Sequence, residues 1–102
     1  MTVDRDNRLF QERLDYKFRD AELLKLALSH RSFGSKNNER LEFLGDSILS
    51  LIISDFLHHS FPDSREGDLS RMRSQIVRAE SLAEIARKLD LGPQLLLGGG
   101  EM

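Results

Sequence analysis

Asn38-Glu39-Arg40-Leu41-Glu42-Phe43-Leu44-Gly45-Asp46-Ser47-Ile48-Leu49-Ser50-Leu51-Ile52-Ile53-Ser54-Asp55-Phe56-Leu57-His58-His59 carries apolar residues at helical spacing from end to end, and Phe61-Pro62 stops it. At about 100° per residue, Glu42 lies about −60° and Asp46 about −20° from Glu39, so three carboxylates share one side of the helix. Leu41, Leu44, Ile48, Leu51 and Ile52 fall on the opposite side, between about 120° and 220°, and form a stripe expected to face the core. Ile53 and Leu57 return to the carboxylate side. The helix is therefore expected to become buried all round toward its end, with the acidic patch at the edge of a core. Elsewhere, too, apolar residues recur at helical intervals and period-two alternation is hard to find, so the chain reads as all-α.

Working outward, a first helix is expected from Asp4 to about Leu14. A second follows Asp20 as its N-cap, carries Leu23, Leu24, Ala27 and Leu28 on one stripe, and stops near His30. Arg31 to Asn37 contains Ser32, Gly34, Ser35 and Asn37 and reads as a loop. Downstream, Asp63 to Gly67 is a polar connector and a fourth helix is expected from about Asp68. A fifth opens with Ser81-x-x-Glu84, a capping-box spacing, and presents Leu82, Ile85, Ala86 and Leu89 on one face. Leu91-Gly92-Pro93 closes it, because glycine suits the position just past a helix and proline cannot continue one. Leu95-Leu96-Leu97 and three glycines follow.

A chain of 102 residues makes one small domain at most, and it contains no cysteine, so neither a disulfide framework nor a thiolate metal site can staple it. Charged residues make up 31% of the chain but its formal net charge is −2, which argues against a stand-alone RNA binder. No apolar run reaches the roughly 18 residues needed to span a bilayer, and the polar start, Met1 to Arg8, lacks the apolar stretch of a signal peptide. No membrane association and a cytoplasmic location are expected.

Glu39, Glu42 and Asp46 stand at i, i+3 and i+7, and such carboxylates repel one another by roughly a few tenths of a kcal/mol per i,i+4 pair on an exposed helix. A cation removes that cost, and Asp and Glu are hard oxygen ligands of the kind that Mg²⁺ or Mn²⁺ takes beside water and phosphate oxygens. Spacing alone does not decide, since most charge patterns are solvated faces. Gly45, between the carboxylates, would allow another helix or backbone to approach closely, or is simply a tolerated helical glycine. Arg40, Arg71, Arg73 and Arg78 are candidate phosphate contacts or ordinary ion-pair partners. Arg71 and Arg78 share a helix face by their seven-residue spacing. His30, at a helix end, suits a cap or a structural hydrogen bond better than a general base. The Gly98-Gly99-Gly100 run neither opens a helix nor precedes Lys-Ser/Thr, so it is not a P-loop.

The string Asn38 to Leu49 resembles the signature motif of the bacterial ribonuclease III family across its whole length. Leu28-Ser29-His30-Arg31-Ser32 resembles the segment before that signature, and Phe61-Pro62 through Glu66-Gly67-Asp68-Leu69-Ser70-Arg71-Met72-Arg73 resembles the one after it. The resemblance implies the helical endonuclease-domain fold and hydrolysis of phosphodiester bonds in double-stranded RNA, as in ribosomal and other RNA processing, with Mg²⁺ as cofactor and Mn²⁺ as a possible substitute. Glu42 and Asp46 match the family's metal-binding carboxylates, while Glu39 and Glu66 match further acidic positions along the valley where RNA is processed. It also implies that metal-activated water, not a histidine, supplies the nucleophile, that products carry 5′-phosphate and 3′-hydroxyl ends, and that two catalytic domains pair so that each strand is cut once.

Phe43, about 40° from Glu39, falls outside the core stripe; it is expected at a homodimer interface or against a part of the domain not present here. In the family, a glycine-rich segment similar to Leu97-Gly98-Gly99-Gly100-Glu101 is followed by helices that add another Asp and Glu to the metal site, and then by a double-stranded RNA-binding domain. Residues 1–102 are thus expected to be a partial catalytic domain, truncated on its C-terminal side. The alternatives to a nuclease are a non-cleaving RNA-binding module and a helical interaction fragment on the same scaffold. Holding repelling carboxylates together serves no purpose in the binding module, whereas the sequence does not separate the interaction fragment from a simple piece of the nuclease.

Overall fold

Five α-helices follow one another in the computed structural model, which describes residues 7–98: α1 (Arg8–Leu14), α2 (Ala21–Ala27), α3 (Glu39–Ser60), α4 (Glu66–Ile76) and α5 (Ala79–Lys88). A 3-10 turn, Gly92–Gln94, comes after α5, and a parallel bridge between Ser29 and Leu96 is the one β-type pairing among the described residues. The all-α expectation holds. The expected start of the first helix at Asp4 lies outside the described residues; α1 is seen from Arg8, behind Asn7 at φ 52°, and it ends on Asp15 at φ 55°. Asn and Asp are the side chains that best tolerate this left-handed backbone.

Asp20 caps α2 as its position predicts, its Oδ1 accepting the Glu22 N–H at 3.0 Å. Replacing Asp20 by Ala is expected to cost about 1 kcal/mol. In urea titration this should lower the unfolding midpoint without changing the slope, and an unchanged midpoint would show that the cap contributes nothing.

Two other helix starts differ from expectation. α4 begins at Glu66, two residues before Asp68, because Arg65 is still extended (ψ 161°) and Glu66 and Asp68 both belong to the first turn, where negative charge is favoured. α5 begins at Ala79 rather than at a Ser81 cap, because extended Arg78 (ψ 154°) already occupies the N-cap position. Ser81 then lies inside the first turn and its hydroxyl donates to the Gln75 carbonyl at 3.3 Å, so the Ser81–Glu84 capping box does not form. At the other end of α5, Asp90 (φ 56°), not Gly92, takes the left-handed residue that follows the helix.

The buried cluster is Phe10, Leu24 and Leu28, with Leu14, Phe18, Leu89 and Leu91 packed against it, so the core joins α1, α2 and the end of α5. Asn7 Nδ2 donates to Gln94 Oε1 at 2.7 Å and ties the start of α1 to the 3-10 turn. Within the α2 stripe, Leu24 and Leu28 are buried and Ala27 half-buried, whereas Leu23 faces water.

The α3 stripe corrects the sequence reading. Leu44, Ile48, Leu51 and Ile52 are 55%, 49%, 68% and 58% exposed, and only Leu41 is half-covered. The reason is where the neighbour sits: α4 packs along Ser54, Leu57 and His58, on the carboxylate side of α3's second half, and Leu57 is buried there. With α4 on one side and no described element on the other, α3 is not buried all round, and Phe56 is exposed as well. The radius of gyration, 16.2 Å, exceeds the roughly 13 Å of a compact domain this long, and the extents are 51 × 26 × 23 Å.

Candidate metal and RNA site

The α3 register follows from its two ends. Asn38 leaves the preceding turn by donating its N–H to Ser29 O and its Nδ2 to Ala27 O, both at 2.8 Å, and its carbonyl accepts the Glu42 N–H at 2.7 Å. At the far end the Phe61 N–H closes on Leu57 O at 2.9 Å, with Pro62 next. Glu39, Glu42 and Asp46 thus stand on the first half of α3, on one side, and all three are exposed. None of their carboxylates makes a hydrogen bond or ion pair among the described residues.

Glu66 is placed elsewhere. It opens α4 and lines a cleft of about 270 Å³ with Ser54, Leu57, His58, Leu69, Ser70 and Arg73. Ser54 lies eight residues beyond Asp46, roughly 12 Å along the helix. Among the described residues no three Asp, Glu or His side chains converge closely enough to hold a metal ion. Sharing one side of a helix over i, i+3 and i+7 spreads the groups along about 10 Å, which is not convergence. Glu42 and Asp46, one turn apart and uncommitted, fit the one or two carboxylates that Mg²⁺ takes from protein, the remaining positions going to water and phosphate.

The arginines divide by what they already hold. Arg40 is exposed with no side-chain partner among the described residues. Arg71 Nη1 pairs with Asp68 at 2.9 Å, and Arg78 Nη2 with Glu80 at 3.7 Å, both in water. Arg71 and Arg78 do not share a helix face, because α4 ends at Ile76 and Arg78 begins the next helix. Half-buried Arg73 donates to Ser54 Oγ at 2.7 Å while that hydroxyl donates to Ser50 O at 2.7 Å, so Arg73 fastens α4 to α3.

His30 is engaged in the loop through Ser32, in keeping with a structural role. Around Gly45, a Cβ would meet nothing within 4 Å, so no described element makes the close approach its position permits. Phe43 is 79% exposed, more than any other large apolar side chain described.

Residues 20–102 match the model of a family described as Ribonuclease-III-like. The chain belongs to that family. It is 59% identical over 92 residues to Ribonuclease 3 of Vibrio campbellii and 58% identical over 96 residues to Ribonuclease 3 of Photobacterium profundum, with 90% and 94% of this chain covered. It spans only about 41–42% of the length of those curated relatives. Two solved structures of the nuclease domain of Campylobacter jejuni ribonuclease III superpose with TM-scores of 0.91 and 0.87 at 45% identity, covering 93% and 92% of this chain and 67% and 65% of theirs. One of them is described for structural flexibility in a region involved in dimer formation. As a ribonuclease III relative, the chain has the helical fold its signature implied, and no described helix is long and apolar enough to cross a membrane.

Proposed function

We propose that residues 1–102 form the first part of the catalytic domain of a cytoplasmic endoribonuclease that hydrolyses double-stranded RNA with Mg²⁺. The observation that carries this reading is the exposed, uncommitted pair Glu42 and Asp46 on the helix that bears the signature, within a ribonuclease-III-like chain. These two residues would hold the ion, which supplies a Lewis acid for phosphodiester hydrolysis. Glu39 extends the same acidic face, and Glu66 lines the RNA path from α4. Arg40 offers a free guanidinium to a phosphate, and Arg71 and Arg78 can exchange weak exposed ion pairs for phosphate contacts. Arg73 has the different task of holding α4 in place. A-form duplex would be recognised by shape, phosphates and 2′-hydroxyls. Phe43 and the apolar side of α3 suit a homodimer contact.

The test uses a protein of the relatives' length that carries this chain, incubated with a long RNA duplex and with single-stranded RNA of the same sequence. Cutting of the duplex alone, in Mg²⁺ or Mn²⁺ and not in chelator, is the expected result. Equal cutting in chelator would overturn the metal assignment, and equal cutting of the single strand would overturn the substrate.

A further inference from the structure

Between α2 and α3 the chain turns sharply, and hydrogen bonds from distant parts of the sequence fasten the turn on both sides. On one side Asn38 bonds to Ser29 O and Ala27 O, which fixes the start of α3. On the other, the Leu96 N–H donates to Leu28 O and the His30 N–H to Leu96 O, each at 2.9 Å. Ser29, between the two, is buried and returns its hydroxyl to Lys25 O at 2.6 Å. A short stretch, Leu28 to His30, thus joins the segment around Leu96 to the first turn of α3.

Past Leu96 the backbone pairing stops and side chains take over. The Gly98 N–H donates to Ser32 Oγ at 2.9 Å; that oxygen lies 2.8 Å from His30 Nδ1, and the Ser32 N–H donates to the same Nδ1 at 3.1 Å. A main-chain N–H can only donate, so Nδ1 must present its lone pair and the ring proton sits on Nε2. The Ser32 hydroxyl then accepts from Gly98, and its own proton can only share the single Nδ1 lone pair with the Ser32 N–H. A steric requirement independent of these bonds points to the same fit, because a Cβ on Gly98 would run into the Ser32 carbonyl oxygen. Only glycine lets the two backbones come this close.

We propose that His30, Ser32 and Gly98 form a latch, in which His30 is a positioning residue acting through Ser32, and that the latch fixes Leu97 and Gly98 against the turn that starts α3. It goes beyond the nuclease reading and does not depend on it.

The experiment is nitrogen NMR on a protein of the relatives' length that carries this chain, with amide hydrogen exchange on the same sample and on three variants. In the unaltered chain, His30 in mildly alkaline buffer should show Nδ1 as the bare ring nitrogen and Nε2 as the protonated one. Exchange at Gly98 should accelerate about tenfold or more in His30→Ala and in Ser32→Ala, and exchange at the Ser32 amide should do so in His30→Ala. His30→Asn places an acceptor oxygen close to where Nδ1 stands and should restore exchange to within about threefold of the unaltered chain. A proton on Nδ1 would overturn the latch whatever the variants do. So would unchanged Gly98 exchange in both alanine variants, or His30→Asn behaving like His30→Ala. The ring measurement needs no variant, so the proposal stays testable even if one of them fails to fold.

Discussion

Glu42→Gln or Asp46→Asn, made in a protein of the relatives' length, is expected to slow duplex RNA cleavage on the order of a thousandfold or more, about 4 kcal/mol of lost transition-state stabilisation. Each substitution keeps the shape of the side chain and removes the charge that a hard cation needs. Folding should hardly change, because both carboxylates are exposed and neither makes a side-chain bond among the described residues. Without metal the variants should melt at the same temperature or slightly higher, since one repelling charge is gone, an effect of a few tenths of a kcal/mol. Rates at saturating Mg²⁺ and thermal melts with and without metal check both halves. If both variants cleave at the unaltered rate, Glu42 and Asp46 do not hold the ion.

Much of this fold was legible because helix periodicity and caps are local signals. Asp20 capped the helix it was expected to cap, Phe61-Pro62 ended α3, and the loop after His30 lay where Ser, Gly and Asn cluster. The misread starts of α4 and α5 have one cause. A single extended residue, Arg65 or Arg78, serves as a helix boundary with no distinctive side chain, whereas the polar run through Gly67 and the Ser81-x-x-Glu84 spacing point to starts two residues later. Candidate site residues could be named from the signature, but their grouping could not. One-helix arithmetic fixes the angle of Glu39, Glu42 and Asp46 and says nothing of where α4 crosses, and that crossing carries Glu66 to the far half of α3. Arg73 shows the same limit, because its partner Ser54 lies 19 residues away and no local pattern links them.

The α3 stripe leads to the second large expectation, that the 102-residue chain made alone associates through this helix and does not cut RNA. Leu44, Ile48, Leu51, Ile52 and Phe56, and outside the stripe Phe43, are each about half exposed or more. Together they leave on the order of 600 Å² of apolar surface in water, at the upper end of the largest patch usual for a monomer. At about 25 cal/mol per Å², even a few hundred Å² left uncovered corresponds to several kcal/mol, comparable with the whole stability of a small domain. A second copy of α3 is available to cover the stripe at any concentration high enough to measure. Cleavage should be absent, because two carboxylates from one helix leave Mg²⁺ mostly to water and no third acidic group converges on them among the described residues. Sedimentation at micromolar concentration should therefore find dimers or larger species with a broad thermal melt. Ile48→Glu and Leu51→Glu, at positions already open to water, should shift the chain toward monomer without loss of helix by circular dichroism. A monomer with a sharp two-state melt and specific cutting of a long RNA duplex would show that the stripe needs no cover and that the site is complete as it stands.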